Sequence, residues 1–126
     1  MNWFSLGAML AGIGIALGAF GAHGLKSRVT PDLLAIFETG VRYHMYHALA
    51  LLAVGWAATR WPSALAVQAA GFLFLAGIAV FSGSLYTMTL TGLGWLGAIT
   101  PFGGLAFIMG WAALAWAPLT TPVGTR

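Results

Sequence analysis

The sequence predicts an all-α, polytopic membrane protein in which four transmembrane helices form an antiparallel bundle. The first observation is composition: 60% of the 126 residues are hydrophobic and only 6% are charged, whereas about a quarter of a soluble domain is charged. The second is that the apolar residues form four runs, each long enough to cross a hydrocarbon core of about 30 Å. We therefore expect a single transmembrane domain over residues 1–126, with lipid as its solvent.

Charge and cysteine content disfavour several classes of function. The five basic residues are scattered through connections and ends, so they do not form the clustered basic face of a nucleic-acid-binding protein. The absence of cysteine excludes disulfides, iron–sulfur clusters and thiol catalysis. With two acidic residues, no nucleophile elbow and no Walker A loop, the chain is a poor candidate for an enzyme. We expect no cofactor and no nucleic-acid partner.

The first apolar run, residues 3–22, predicts the first span. We do not interpret it as a secretory signal, because no Lys or Arg precedes it and three more apolar runs follow. Small residues recur along it at alternating steps of four and three, which places them on one stripe where another helix can approach closely. This stripe predicts packing within the bundle, with a dedicated dimer face as the alternative. Its glycines are Gly7, Gly14, Gly18 and Gly21.

The second helix is predicted to begin near residue 31. Thr30-Pro31-Asp32 supplies an N-cap, a proline at the first helical position and an acid in the first turn. Arg60-Trp61-Pro62 ends the helix with a charge, an interfacial aromatic and a breaker. A helix of this length exceeds the core thickness, so we expect a span over residues 41–59 preceded by an interfacial extension from about residue 31.

The third run follows after a few residues, so helices two and three are predicted to form an antiparallel hairpin, with the third span over residues 64–86. The last run has two interpretations. Thr100-Pro101 marks either a kink within a helix over residues 95–117 or the start of a shorter helix, in which case residues 90–100 form a sheltered loop. We favour the kinked span. Gly103 and Gly110 lie on a stripe of small residues that predicts close packing of this helix.

Polar residues gather at the start of the second helix. At 100° per residue, Glu38, Arg42 and Tyr46 follow one another along one side. Glu38 and Arg42 have the spacing and order of a helical ion pair, which lowers the cost of placing two charges near lipid. An interfacial anchor is the simplest interpretation. The polar cluster, which is also our candidate ligand site, consists of His23, Glu38, Arg42, Tyr43, His44, Tyr46 and His47.

A metal site is only weakly indicated. His44 and His47 are three residues apart and share a face, the geometry that two imidazoles need to reach one ion. A closed zinc site needs four ligands, and haem needs an imidazole in mid-membrane, whereas these residues lie within a turn or two of the predicted polar boundary. We predict no metal site, with His44 and His47 as the weak candidates. A transmembrane proton path is also disfavoured, because no polar residues continue it to the other side.

The basic residues give a slight preference for one orientation. Lys26 and Arg28, with Arg42 just beyond, lie on the side of the first connection, whereas Arg60 and Arg126 lie on the other. The positive-inside rule then favours a cytoplasmic first connection with both termini outside.

Four motifs together resemble one family: GAFGAHGL at 18–25, FETGVRYHMYHAL at 37–49, FSGSLY at 81–86 and TPFGG at 100–104. They resemble domain-of-unknown-function family 423, a family of small bacterial inner-membrane proteins with relatives in eukaryotes. The resemblance covers nearly the whole chain and implies a four-helix membrane protein. It implies no established activity.

Two functions remain open. The first is a non-enzymatic accessory, scaffold or partner-binding subunit of the inner membrane, crossing it several times, whose partners are the bilayer and either another membrane protein or a second copy. The alternative is a module that binds or transports a small ligand, lipid, quinone or metal at the polar cluster. Orientation distinguishes them: convergence of His44, His47 and Glu38 on a cavity favours the alternative, and contact with headgroups favours an anchor.

Overall fold

The computed structural model describes residues 1–124, which form four helices and no strand. Arg126, which entered the orientation argument, lies outside the described residues. The all-α class predicted from composition and apolar runs is therefore confirmed for this part of the chain. The helices are α1 (Trp3–Leu25), α2 (Pro31–Arg60), α3 (Leu65–Thr91) and α4 (Thr100–Thr120), and a short 3-10 helix (Gly94–Ala98) precedes α4.

Among the described residues, three helical segments are long and apolar enough to cross a membrane, namely α1, α3 and the segment Gly94–Thr120 that contains α4. The longest α-helix, α2, has 30 residues but is not among them, because it carries much of the chain's charge and all of its histidines except His23. By length and composition alone, α2 is therefore not identified as a span.

The ends of α1 and α2 follow from local chemistry. The Thr30 hydroxyl accepts a hydrogen bond from the Leu33 N–H at 3.3 Å, and Pro31 occupies the first turn, as the sequence predicts. Before this start, α1 continues past its predicted end at residue 22 through a π-helical turn, Gly21–Leu25. His23, which follows the apolar run, therefore lies within the last turn of α1.

The second half of the chain differs more from its prediction. α3 contains a π-helical turn, Ile78–Ser82, and runs to Thr91 rather than to residue 86. It ends at Gly92, whose φ of +73° is the left-handed conformation that glycine adopts without strain. α4 begins at Thr100 with Pro101 in its first turn, so the kinked helix over residues 95–117 that we favoured is not observed. Proline has no N–H to donate, and the first turn is where a helix tolerates that loss.

The helices pack as two pairs, α1 on α2 and α3 on α4, with α2 and α3 in contact between them. Trp3 joins α1 directly to α3: its indole N–H donates to Gln68 Oε1 at 2.8 Å, and its ring lies edge-on to Phe72. Both ends of this hydrogen bond lie in the first turns of their helices, so α1 and α3 run in the same direction. The core between the pairs includes Leu51, Val54, Val67 and Phe74.

Glycines bring facing helices close together. A Cβ added at Gly7 would lie 2.7 Å from the carbonyl oxygen of Ala48 on α2, and one at Gly110 would lie 2.7 Å from the Phe74 ring on α3. An added Cβ at Gly18 would instead make an ordinary contact, 3.5 Å from Val41. The other predicted packing glycines with close neighbours are Gly14, facing Met45 and His44, Gly21, facing Phe37, and Gly103, facing Phe81.

Candidate functional site

His44 is buried between α1 and α3, with 3% of its surface exposed. Its Nε2 lies 2.7 Å from the carbonyl oxygen of Leu10, and its Nδ1 lies 3.0 Å from the hydroxyl of Tyr86. Because a carbonyl oxygen can only accept, Nε2 carries a proton and donates it to Leu10. In the neutral imidazole, Nδ1 then accepts from Tyr86. One ring therefore connects three helices and uses both of its nitrogens.

His47 is equally buried but faces α4. Its Nδ1–H donates to the carbonyl oxygen of Tyr43, one turn earlier, at 2.7 Å, and the indole N–H of Trp111 donates to its Nε2 at 3.1 Å. Indole nitrogen is only a donor, so this contact requires an unprotonated Nε2. The ring also stacks on Phe107, with centroids 3.5 Å apart and planes 8° from parallel. His47 thus connects α2 to α4.

The two histidines do not share a ligand site. His44 points towards α1 and α3, and His47 points towards α4, although they are separated by less than one turn. All four ring nitrogens have protein partners, which leaves no free lone pair for a metal ion in this arrangement. Within residues 1–124, no group of three or more His, Asp or Glu side chains is placed to hold a metal.

The histidines lie far from both ends of α2. At about 1.5 Å per residue, His47 is about 24 Å from Pro31 and about 20 Å from Arg60, close to the middle of α2. Its neighbours Phe74 and Phe107 lie inside α3 and α4, well away from the helix ends. The apolar run that set the boundary at residue 41 is only part of a longer helix.

The remaining members of the polar cluster lie outside the bundle. His23, Glu38 and Arg42 are exposed, and their side chains form no hydrogen bond or ion pair with the described part of the chain. Tyr43 and Tyr46 are 38% and 54% exposed, and their rings are edge-on to each other. The cluster therefore divides into a buried, hydrogen-bonded pair and an exposed set, and His44, His47 and Glu38 do not converge on one cavity.

An open groove of about 780 Å³ separates α2 from α4. Tyr43, Tyr46 and His47 form its wall on α2, and the wall on α4 extends from Pro101 to Trp111. Phe81 of α3 lies between them, 4.7 Å from the Tyr43 ring centroid. We call this feature the α2–α4 groove.

Sequence reasoning did not identify the residues that α4 brings to the groove and to His47. Trp111 and Phe107 are four residues apart, so they share a face of α4, and this spacing was the available signal. This spacing was not recognised as a signal, because aromatic residues are common throughout an apolar run and also gather at membrane interfaces.

Further hydrogen bonds join α3 to its neighbours. The Ser82 hydroxyl donates to the carbonyl oxygen of Gly40 on α2 at 2.7 Å, and the hydroxyls of Ser84 and Thr100 lie 2.6 Å apart. Thr89 donates to the carbonyl oxygen of Leu33 at 3.2 Å. Small hydroxyl side chains therefore serve as links between helices rather than as free polar groups.

Residues 17–104 match the family described as "Protein of unknown function (DUF423)". The chain belongs to this family. The resemblance drawn from the four motifs is thus confirmed, and the matched DUF423 region contains the whole polar cluster, all of α2 and α3, and the first turn of α4.

Related proteins carry names that refer only to a membrane. The chain is 48% identical over 86 residues to "UPF0382 membrane protein YwdK" of Bacillus subtilis (strain 168), covering 68% of this chain and 70% of the relative. It is 46% identical over 86 residues to "UPF0382 membrane protein SAB0533" of Staphylococcus aureus (strain bovine RF122 / ET3-1), covering 68% and 69%. No solved structure matches the chain. These names and the three long apolar segments support a membrane location for this DUF423 protein.

Proposed function

We propose that this DUF423 protein crosses the inner membrane four times and acts without catalysis, as an accessory subunit that binds a partner membrane protein or a second copy of itself. The proposal has two parts, the number of crossings and the role. Each has its own support and its own test.

The direction of the helices supports four crossings. The hydrogen bond from Trp3 to Gln68 places the starts of α1 and α3 on one side, so a chain that crosses in α1 must return before Leu65. α2 is the only helix in between, and at about 45 Å it is long enough for the return. Its two imidazoles are turned inward and hydrogen-bonded, which removes the main cost of placing them within lipid.

Reporter fusions test the number of crossings. With four spans the two ends of the chain lie on the same side, and the charge distribution favours the outer side. We expect a periplasmic reporter to be active at both ends and inactive when inserted after Lys26. A reporter that is active at only one end of the chain would show an odd number of spans. It would exclude α2 as a membrane span.

The hydrogen bonding of the buried polar side chains supports a role without catalysis. Within residues 1–124, the buried polar side chains are His44, His47, Ser82, Ser84 and Thr89. Each of them is hydrogen-bonded to a different helix of the bundle. A catalytic base or nucleophile needs a free polar atom next to a substrate. Here the polar atoms hold helices together instead.

The outward face of α1 supports the proposal that the protein binds a partner. Gly12 is exposed, and a Cβ added there would meet no atom within 4 Å. Ala8 and Ala16, one turn away on either side, are exposed as well. Three small residues at steps of four allow the backbone of another transmembrane helix to approach closely. α1 therefore has a second close-packing face, on the side opposite to the one that α2 covers.

Native mass spectrometry of the protein in membrane discs tests the role. We expect a mass above that of one chain, from a second copy or another polypeptide, and we expect Gly12→Leu to abolish it by keeping the partner helix away. Gly83→Leu is the matched control, because Gly83 is also a helical glycine with no atom within 4 Å of an added Cβ.

Since the chain has no cysteine, Ala16→Cys gives a single site for disulfide cross-linking, and a cross-linked dimer would identify the partner as a second copy. A wild-type protein that carries no second polypeptide, or a Gly12→Leu variant that keeps one, would contradict the proposed role.

A further inference from the structure

We infer that the α2–α4 groove binds one acyl chain of an anionic phospholipid, with the phosphate of the headgroup next to Arg42. This inference concerns a different surface from the partner face of α1. It rests on the length of the groove, its change in polarity along that length, the charge at one end and its volume.

The length of the groove matches one leaflet of a bilayer. Its wall on α4 extends from Pro101, in the first turn, to Trp111, a rise of about 15 Å. Half of a hydrocarbon core of about 30 Å is also about 15 Å. Since α4 starts at one side of the bundle, the groove reaches from that boundary to the middle of the membrane.

The polarity of the groove changes from one end to the other. At the deep end, the indole N–H of Trp111 and both nitrogens of His47 are already engaged, so this part offers only apolar and aromatic surface. One turn nearer to the boundary, the Tyr43 hydroxyl forms no hydrogen bond with residues 1–124. A free phenol donor at this level suits an ester oxygen of a glycerophospholipid, and the deep end suits its hydrocarbon chain.

Arg42 places a positive charge at the shallow end. It precedes Tyr46 by one turn, and side chains on a helix tilt towards its N-terminus, so its long side chain extends towards the boundary. Glu38 lies one further turn away from the groove and forms no ion pair with Arg42. On this side of the bundle, Lys26 and Arg28 add to the positive charge, which favours an anionic headgroup.

The volume of the groove, about 780 Å³, suits a lipid chain. Sites for small molecules have volumes of about 300–1,000 Å³ and are mostly apolar with a few placed polar groups. The groove has the size and composition of such a site.

The test uses the purified full-length chain, delipidated in detergent and then exposed to phosphatidylglycerol or phosphatidylcholine with identical acyl chains. We expect native mass spectrometry to show one tightly held lipid per chain, with phosphatidylglycerol preferred. Arg42→Gln should lower that preference about fivefold, the usual effect of one basic residue next to an anionic headgroup. Arg60→Gln removes the same charge from the exposed opposite end of α2 and should leave the preference unchanged.

A second pair of variants tests the part of the groove that is proposed to bind the acyl chain. Gly104 lines the groove, and an added Cβ there makes only an ordinary contact, 3.8 Å from the Phe81 ring. Gly104→Leu should therefore fold, fill the groove and abolish binding of both lipids, whereas Gly83→Leu should retain both. Circular dichroism and thermal unfolding verify that each variant is folded.

Four results would overturn the inference. The first three are equal binding of the two lipids to the wild type, an equal effect of Arg42→Gln and Arg60→Gln, and lipid retained by Gly104→Leu. The fourth is a photoreactive residue at Ile108 that cross-links to a polypeptide instead of lipid, because a partner helix would then occupy the groove. Gly12→Leu should keep its lipid, so failure of the partner proposal and failure of the lipid site are separate observations.

Discussion

The close approach of α1 and α2 at Gly7 leads to a sharp prediction about stability. A Cβ at this position would lie 2.7 Å from the Ala48 carbonyl oxygen and 3.0 Å from the Leu52 nitrogen, about 0.7 Å short of ordinary contact in the first case. Both neighbours are backbone atoms, so no side-chain rotation relieves the clash. Gly7→Ala must therefore push the two helices apart or distort one of them.

The loss of stability caused by Gly7→Ala is best measured relative to Gly18→Ala. An added methyl group at Gly18 lies 3.5 Å from Val41, which needs no movement. Both substitutions gain the helix propensity of alanine, about 1 kcal/mol in each case, and this gain cancels in the comparison. Forcing extra atoms into a packed contact costs about 1–3 kcal/mol. We therefore expect the free energy of unfolding of Gly7→Ala to lie about 1–3 kcal/mol below that of Gly18→Ala.

Reversible unfolding in mixed micelles, followed by circular dichroism, measures this difference. The two variants have the same composition and lie on the same helix, so expression, detergent binding and denatured-state effects are closely matched. Equal stability, within about 0.5 kcal/mol, would refute the close backbone contact between α1 and α2. A Gly18→Ala variant less stable than Gly7→Ala would show that α1 presents a different face to α2.

The other predictions concern interhelical hydrogen bonds and one turn. His44→Phe should lower the free energy of unfolding by about 1–3 kcal/mol, because a tyrosine hydroxyl of α3 loses its partner in the core; an unchanged unfolding curve would contradict this. Trp111→Phe keeps the ring contacts but loses the bond to the imidazole, which should cost about 0.6 kcal/mol relative to Trp116→Phe on an exposed face, measured in the same titration. Gly92→Ala should cost about 1 kcal/mol through its left-handed backbone alone, whereas Gly94→Ala should be neutral by thermal unfolding.

The start of α2, which has a local chemical cause, could be predicted from the sequence, but the continuation of α3 beyond residue 86 could not. The Thr30-Pro31 start of α2 depends on its own residues. The end of α3 was placed too early, because the threonines after residue 86 interrupt the apolar run. In the structure, Thr87 and Thr91 donate to carbonyl oxygens one turn earlier, at 2.8 and 2.6 Å. These bonds satisfy the hydroxyls within the helix, so the threonines do not end it, and α3 ends instead at Gly92 in the left-handed conformation.

The candidate site was predicted only as a set of residues, because its geometry depends on contacts distant in sequence. Spacing gives the positions of the polar side chains around α2, but it does not tell which of these positions meet protein. His44 is separated by 42 residues from its partner on α3, and His47 by 64 residues from its partner on α4. The π-helical turn in α3 also has no sequence signature, yet it shifts the face that Ser82 presents to α2.

The polarity of α2 shows why mean hydropathy is a poor guide for an inner helix of a bundle. Hydropathy averages over the whole circumference, whereas lipid contacts only the outer part. His44 and His47 lower the mean, but each is 4% exposed or less and has protein partners at both nitrogens. In the proposed arrangement with four spans, the same imidazole at Leu49, which is 51% exposed on the same helix, would face hydrocarbon without a partner. The location of a polar side chain around the helix, and not its presence in the run, therefore decides whether α2 can cross.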